Sequence, residues 1–340
     1  MHIGRRYSLA QTLGWSRRNL IAPLLFSTAA TAAYDLGDLH WLAIPWLPVS
    51  LLGIAVAFYL GFKNNASYDR LWEARKIWGA IVNASRSWAF TARDFVSDFF
   101  ADDSETTPDE LRAIHTRLVL RHVAWMDALR YQLRKVKTWE HDGPDFAGYR
   151  LGPTAAPEYT EDLREQLERT LDAAEIDEAL AQINPAARLL SNQSRDLAAL
   201  HRRGLLDNFR HMELQKLLHE LMTQQGKAER IKNFPFPRQY STVNSFFAGA
   251  FALLVPFGML NEFHALGDGL VWLNVVFSTL VCWVFLTADQ IGDWSENPFE
   301  GLANDVPISA MARGIERDVR QMIDQTDLPP AREPIGELLM

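Results

Sequence analysis

Residues 41–62 read WLAIPWLPVSLLGIAVAFYLGF and contain no charged side chain. A helix rises about 1.5 Å per residue, so about 20 apolar residues cross the roughly 30 Å hydrocarbon core of a bilayer. This stretch is therefore predicted to be a transmembrane helix. Three further uncharged runs lie at residues 20–34, 239–261 and 269–288. The run at 20–34 is short, and it would span with help from its flanking residues or by local thinning of the bilayer.

The overall composition hides this segregation. The 340 residues are 48% hydrophobic and carry a formal net charge of −8, averages that fit a slightly acidic soluble protein. Net negative charge without clustered basic residues argues against nucleic acid as a partner, because neutralising phosphates requires clustered Lys and Arg. The single cysteine, Cys282, excludes an intrachain disulfide and a cysteine-based metal cluster.

The distribution of Lys and Arg around the runs predicts the topology. Arginine pairs at 5–6 and 17–18 precede the first run, and several basic residues between 63 and 76 follow the second. The short joins at 35–40 and 262–268 contain acidic residues and no Lys or Arg. Because basic residues stay on the cytoplasmic side, both termini and the large middle region are predicted to face the cytoplasm.

An alternative interpretation concerns the N-terminus. The sequence SRRNLI at 16–21, followed by an apolar stretch and Ala-Thr-Ala at 30–32, resembles a twin-arginine export signal with a cleavage site. A cleaved signal is usually followed by a soluble passenger, whereas further spans follow here. N-terminal sequencing of the mature protein would distinguish the two.

The rest of the chain is predicted to be helical. Helical spacing continues from residue 63 to about 100, and further helices are expected over 108–137, 161–181, from 184 onward, over 205–231 and over 308–323, with polar loops at 102–108 and 143–157. The tail at 324–340 is expected to be extended or disordered. The predicted parts are an N-terminal segment with the first two spans (1–62), a helical cytoplasmic region (63–237), the third and fourth spans (238–290), and a cytoplasmic C-terminal segment and tail (291–340).

Two stripes at four-residue spacing in the run at 41–62 differ in kind. The small stripe consists of Gly53, Ala57 and Gly61, and the bulky stripe consists of Ile54, Phe58 and Phe62. Small residues let helix backbones approach closely in lipid, so a neighbouring helix is predicted to pack there. In a symmetric ring of such helices the bulky stripe would form an apolar constriction that gates ions by dewetting. Periodicity alone leaves open that these side chains face lipid or the bundle interior.

The residues that follow this helix resemble those of a known family. Residues 60–79, LGFKNNASYDRLWEARKIWG, are similar to the segment after the neck helix of bacterial bestrophin homologues, and further similarity lies at 237–240 and in Asn-Pro-Phe at 297–299. The similarity extends over nearly the whole chain in order and spacing. It implies an all-α membrane protein that assembles as a pentamer, with four transmembrane helices and a helical cytoplasmic region in each subunit.

The resemblance also implies roles for particular residues. Bestrophins line their neck with three apolar residues at four-residue spacing, which correspond here to Ile54, Phe58 and Phe62. Their second, cytoplasmic constriction is formed by an apolar residue near the start of the last cytosolic helix. Counting along the chain implies Phe209 for this aperture, with Leu205 and Leu206 as alternatives.

Animal bestrophins bind calcium just after the fourth span, and calcium takes six to eight oxygen ligands. The matching residues 297–305 read NPFEGLAND, in which Asp305 is kept, but Gly301 and Leu302 stand where animal members have acidic ligands. The resemblance therefore implies no calcium gating and a weak metal site at most, at Asn297 and Asp305. The alternative is that these polar residues cap helices and form subunit contacts.

No catalytic chemistry is marked in the sequence. The histidines lack metalloprotease spacing, and phosphate loops, Gly-rich nucleotide turns and nucleophile elbows are absent, so neither an enzyme nor a cofactor is expected. The resemblance implies a homo-oligomeric ion channel in the cell membrane, with the bacterial inner membrane as the expected location, whose partners are lipid and monovalent inorganic ions. Sodium is the leading expectation and chloride the alternative.

Two other classes stay open. A secondary transporter would need ionisable groups near the bilayer midplane, and the four runs contain none. A membrane-anchored scaffold or sensor would use the spans only as a tether.

Overall fold

The computed structural model describes residues 1–99, 106–141, 156–267 and 269–340, and over these residues it is helical apart from isolated β-bridges near the chain ends. The all-α prediction is confirmed for this part of the chain. The helices are α1 (Leu9–Trp15), α2 (Arg17–Asp35), α3 (Trp46–Phe95), α4 (Pro108–Arg134), α5 (Leu163–Leu167), α6 (Ala173–Leu180), α7 (Pro185–Arg202), α8 (Asn208–Asn233), α9 (Arg238–His264), α10 (Leu273–Ser295) and α11 (Ile308–Met322). Most of the two predicted polar loops, at 102–105 and 143–155, lies outside the described residues.

The described residues form two compact units. The membrane unit contains residues 4–71 and 235–297, and the helical body contains residues 1–3, 72–234 and 298–340. The first part of α3 belongs to the membrane unit and the remainder belongs to the helical body.

Among the residues that the structure describes, three helices are long and apolar enough to cross a membrane. They are α3 with its preceding 3-10 turn (His40–Phe95), α9 (Arg238–His264) and α10 with its preceding turn (Leu270–Ser295). The fourth predicted run, at 20–34, lies in α2, which has 19 residues but begins with Arg17 and Arg18. Within the membrane unit α2 packs against α9 and α10.

A small polar network joins α2, α9 and α10. The Asn274 amide donates to the hydroxyl of Thr31 at 2.9 Å and to the carbonyl oxygen of Pro256 at 3.0 Å. The Ser278 hydroxyl donates to the amide oxygen of Asn274 at 2.6 Å. Polar groups without partners are costly in an apolar surrounding, so these bonds favour one arrangement of the three helices.

The helical body is built around buried tryptophans. Trp78 and Trp88 on α3 and Trp125 on α4 are completely buried. Helix α4 packs against α7, α8 and α11, so it lies at the centre of this unit. Burial on all sides explains why α4 has a weak amphipathic pattern and many buried charged residues.

Aspartate caps explain where the helices of this body depart from prediction. The predicted helix over 161–181 is divided into α5 and α6, because the Asp172 carboxylate accepts from the backbone N–H of Glu175 at 2.8 Å and starts a new helix. Helix α8 begins at Asn208 and not at 205, because Asp207 accepts from the backbone N–H of Phe209 at 2.7 Å. The tail is extended at its end, where Leu338 pairs with His2.

His122 makes the stability of the helical body sensitive to acid. Its ring lies 6.4 Å from the ring of Trp88 and 5.1 Å from that of Trp125, and burial lowers its pKa to about 3. Below about pH 6.5 this histidine is protonated in the unfolded chain but stays neutral in the folded protein. The free energy of unfolding therefore falls by up to about 1.4 kcal/mol per pH unit until the pH nears 3.

The variant His122→Asn should therefore lose stability less steeply between pH 7 and pH 4.5. The measurement is the unfolding midpoint in denaturant at each pH, and exposed His219→Asn is the control. Parallel curves for wild type and His122→Asn would contradict the assignment.

Candidate ion pathway

Helix α3 presents the bulky stripe on the surface of the membrane unit. Ile54, Phe58 and Phe62 are 68%, 66% and 51% exposed. The rings of Phe58 and Phe62 meet edge to face, with centroids 4.5 Å apart and an interplanar angle of 85°. The stripe is thus a continuous apolar surface in a single chain, available to lipid, to a water-filled lumen or to another copy. Its assignment as a neck stays a prediction.

The small stripe divides into a buried and an exposed part. A Cβ added at Gly53 would lie 2.7 Å from two ring carbons of Phe251, so glycine permits the close approach of α3 and α9. Ala57 and Gly61 are exposed, and a Cβ at Gly61 would meet nothing within 4 Å. The neighbouring helix at Gly53 is therefore α9 of the same chain, and the other two positions remain available for a second chain.

The three candidates for the aperture differ in exposure. Phe209 lies in the first turn of α8 and its side chain is 81% exposed. Leu205 and Leu206 precede the helix and are buried in the helical body. Only Phe209 among the three has a side chain that could line an opening.

A buried ion-pair cluster ties α3 to α10. The Lys63 ammonium lies 2.6 Å from a carboxylate oxygen of Asp289 and 2.6 Å from one of Asp293, and its side chain has no exposed surface. The hydroxyl of Ser241 donates to Asp293 at 3.2 Å, and the amide of Asn64 donates to a carbonyl of α10 at 3.1 Å. Sequence reasoning missed this cluster. The signal was one Lys directly after one apolar run and two Asp, one helical turn apart, directly after another.

Gly292 permits this cluster to form. A Cβ at this position would lie 2.3 Å from the amide oxygen of Asn64 and 3.2 Å from Cε of Lys63. No ordinary Cβ approaches another atom that closely, so any side chain at 292 would force the amide of Asn64 to move and would crowd the side chain of Lys63.

Asp305 is used as the anchor of a tight turn in the helical body. One of its oxygens accepts from the backbone N–H of Phe299 at 2.8 Å and of Val306 at 2.6 Å, and the other accepts from that of Gly301 at 2.7 Å and from the Arg134 guanidinium at 2.8 Å. Phe299 and Gly301 have φ of 76° and 84°, in the left-handed region. Both carboxylate oxygens of Asp305 thus accept hydrogen bonds from two donors each. This favours a structural role for Asp305 over a role as a metal ligand.

Asn297 belongs to the membrane unit, where its side chain is buried and its amide donates to Glu296 at 3.3 Å. In the part of the chain that the structure describes, no three His, Cys, Asp or Glu side chains are grouped to hold a metal ion.

Asp305→Asn should destabilise the helical body by about 3 kcal/mol, because it leaves the buried Arg134 without its closest anionic partner. The measurement is the free energy of unfolding in denaturant. Asp318→Asn, which removes the partner of exposed Arg86, is the control and should cost at most about 1 kcal/mol. Equal losses in the two variants would contradict the anchoring role.

Long apolar helices joined to a helical body define a multi-pass helical membrane protein. The chain belongs to the bestrophin family: residues 15–321 match the family described as "Bacterial/Fungal Bestrophin protein". The resemblance read from the sequence is thus confirmed. Bestrophins are channels and not enzymes, so this chain is a bestrophin-family ion channel.

Several curated relatives match over most of their length. The voltage-dependent anion channel-forming protein YneE of Salmonella typhimurium is 29% identical over 287 residues, which are 84% of this chain and 80% of the relative. A protein of the same description from Ralstonia nicotianae, RSc3414, is 30% identical over 293 residues, 85% of this chain and 82% of the relative. A crystal structure of a bacterial bestrophin homologue from Klebsiella pneumoniae superposes with a TM-score of 0.74 at 28% identity, covering 91% of this chain and 98% of that one.

Proposed function

We propose that copies of this chain assemble around a common axis and conduct monovalent ions through a neck lined by Ile54, Phe58 and Phe62. The exposed bulky stripe on α3 carries this proposal. Lipid would also accept such side chains, but exposed Ala57 and Gly61 lie beside them and offer a surface for close approach of a second chain. Contact along that surface in a ring would turn the neighbouring bulky stripe toward the axis.

The proposed assembly is a pentamer with four membrane helices per subunit. Helix α2 supplies the fourth, and its polar contact from Thr31 to Asn274 supports its place among the spans. In this assembly both termini and the helical body face the cytoplasm, in agreement with the basic residues that flank the runs. Phe209 forms the second constriction, in the helical body.

The ion is proposed to be a monovalent anion. An apolar neck has no fixed charge that selects the sign of the ion, so the sodium preference expected from the resemblance has no residue in the neck to support it. The curated relatives are named anion channel-forming proteins, which favours the chloride alternative. Ions that lose their hydration easily should cross such a neck best, because apolar walls do not replace the lost water.

Reversal potentials test this proposal. Purified protein in a planar bilayer is recorded under a tenfold gradient of NaCl, for which an ideally selective channel reverses about 59 mV from zero. We expect reversal near the chloride equilibrium potential and a higher permeability for thiocyanate than for chloride. Reversal near the sodium equilibrium potential would restore the cation alternative. Silent bilayers with folded protein would favour the scaffold class.

A further inference from the structure

The helical body contains a cavity whose lining includes none of the residues proposed for the neck or the aperture. Its volume is about 510 Å³, and its walls come from α11, the residues around α5 and the segment 329–333 near the end of the chain. We name it the arginine cavity, because Arg169, Arg313 and Arg332 lie in its lining. Cavities of about 300–1,000 Å³ are typical of small-molecule sites.

Next to the cavity, one carboxylate forms ion pairs with three guanidinium groups. Glu316 is buried and accepts from Arg169 at 2.7 Å, while Arg320 lies 3.0 Å and Arg313 3.3 Å from its oxygens. One negative charge cannot neutralise three positive ones. The surplus positive charge therefore lies at the side of the cavity where Arg169 and Arg313 are placed.

Arg313 is the least compensated of these groups. Its side chain is 13% exposed, its shortest contact with Glu316 is made through Nε, and it lines the cavity. Burial, together with the charges of Arg169 and Arg332, lowers its pKa despite Glu316. A buried cation that shares its carboxylate partner with two other cations would gain from pairing with a further anion.

The opposite wall differs in chemistry. Pro329, Pro330 and Ala331 form an apolar surface, and Arg332 follows them with a single long contact of 3.5 Å to Glu161. Glu161 and Glu333 also line the cavity, and with Glu316 they make three carboxylates against four arginines once Arg320 is counted, so the excess is one positive charge. The arrangement suits a ligand with one strongly anionic end and a small organic remainder.

We propose that the arginine cavity binds a compact phosphate-bearing anion, with the phosphate held by Arg313, Arg332 and Arg169 and the remainder against Pro329–Ala331. The guanidinium fork matches phosphate oxygens in pairs, and such charge-assisted bonds are about twice as strong as neutral ones. The site goes beyond the proposed function, since binding here requires no current through the neck.

Calorimetry on the full-length protein in phosphatidylcholine nanodiscs tests the site, with inorganic pyrophosphate as the probe and divalent cations removed. Arg313→Gln and, separately, Arg332→Gln should weaken binding at least tenfold. Arg332→Gln leaves the Glu316 cluster intact, so it reports on binding even where Arg313→Gln fails to fold. The matched control is Arg86→Gln, which removes an arginine paired on the surface with Asp318 and should change affinity less than twofold.

A second arm distinguishes a free phosphate from a lipid headgroup. A water-soluble short-chain phosphatidic acid replaces pyrophosphate as the calorimetric probe, and its heat of binding is corrected with empty phosphatidylcholine nanodiscs. Binding that depends on Arg332 in either arm supports the site. Binding of pyrophosphate identifies a free phosphate as the ligand class, and binding of phosphatidic acid identifies a lipid headgroup. No saturable binding in either arm, or equal affinity in Arg332→Gln and Arg86→Gln, would overturn the proposal, as would tighter binding of citrate than of pyrophosphate.

Discussion

Phe58→Ala should raise the single-channel conductance about tenfold, and Phe58→Ala combined with Phe62→Ala should raise it further. The two rings meet edge to face on the exposed surface of α3, and in the proposed neck they would exclude water from the narrowest part of the path. Removing a ring widens that part and lowers the barrier to ion entry, and about 1.4 kcal/mol of barrier corresponds to a factor of ten in rate. Single-channel recording in planar bilayers measures the change.

The control for this prediction removes the same chemical group elsewhere. Phe246 lies on α9 and is as exposed as Phe58, so Phe246→Ala should leave the conductance within about twofold if it faces lipid. An equal response of the two variants, or none in either, would mean that the stripe on α3 does not line the path. Because all these rings are exposed in the single chain, their removal should cost little folding stability.

Lys63→Met should have the largest effect on stability. It leaves Asp289 and Asp293 facing each other without the buried ammonium that lies 2.6 Å from both. Removing one partner of a buried ion pair costs about 3–5 kcal/mol, which corresponds to a fall in melting temperature of the order of 10 °C. Tryptophan emission during heating of the detergent-solubilised protein measures it.

Two further variants separate lost charge pairing from lost packing. Lys63→Met combined with Asp289→Asn and Asp293→Asn removes the whole cluster and should recover most of the stability, because uncharged groups of similar size can replace a buried ion pair. Arg86→Ala, which breaks a surface pair, should cost at most about 1 kcal/mol. A triple variant no more stable than Lys63→Met would assign the loss to packing.

The sequence predicts the helical class because uncharged runs and helical spacing can be identified from neighbouring residues alone. The long apolar helices α9 and α10 are examples. The boundaries are less predictable. Asp172 stands within a stretch of helical periodicity, and whether it caps a helix or lies inside one depends on the packing around it. For the same reason, helical spacing predicts that α8 begins at 205, before the cap at Asp207.

Periodicity identifies the faces of α3 but not the elements that pack against them. Spacing correctly separates a small face from a bulky face on α3, but it does not say which element covers either one. Gly53 contacts Phe251, which lies far away in sequence, and this contact could be found only once α9 was placed beside α3. The sequence alone indicates Lys63 only as one of the basic residues that set the orientation, because its two carboxylate partners come from a helix more than two hundred residues later.

Gly292 has a consequence for genetic variation in this protein. Every single-nucleotide change that alters the amino acid encoded by a glycine codon adds at least one carbon atom, and that atom would collide with Asn64. Alanine at this codon requires the amide of Asn64 to move, and larger residues must also displace the side chain of Lys63 from its carboxylate partners. A saturation library should therefore show tolerance at position 292 falling as the side chain grows, whereas Gly61, with open space around it, should accept small residues in a single chain.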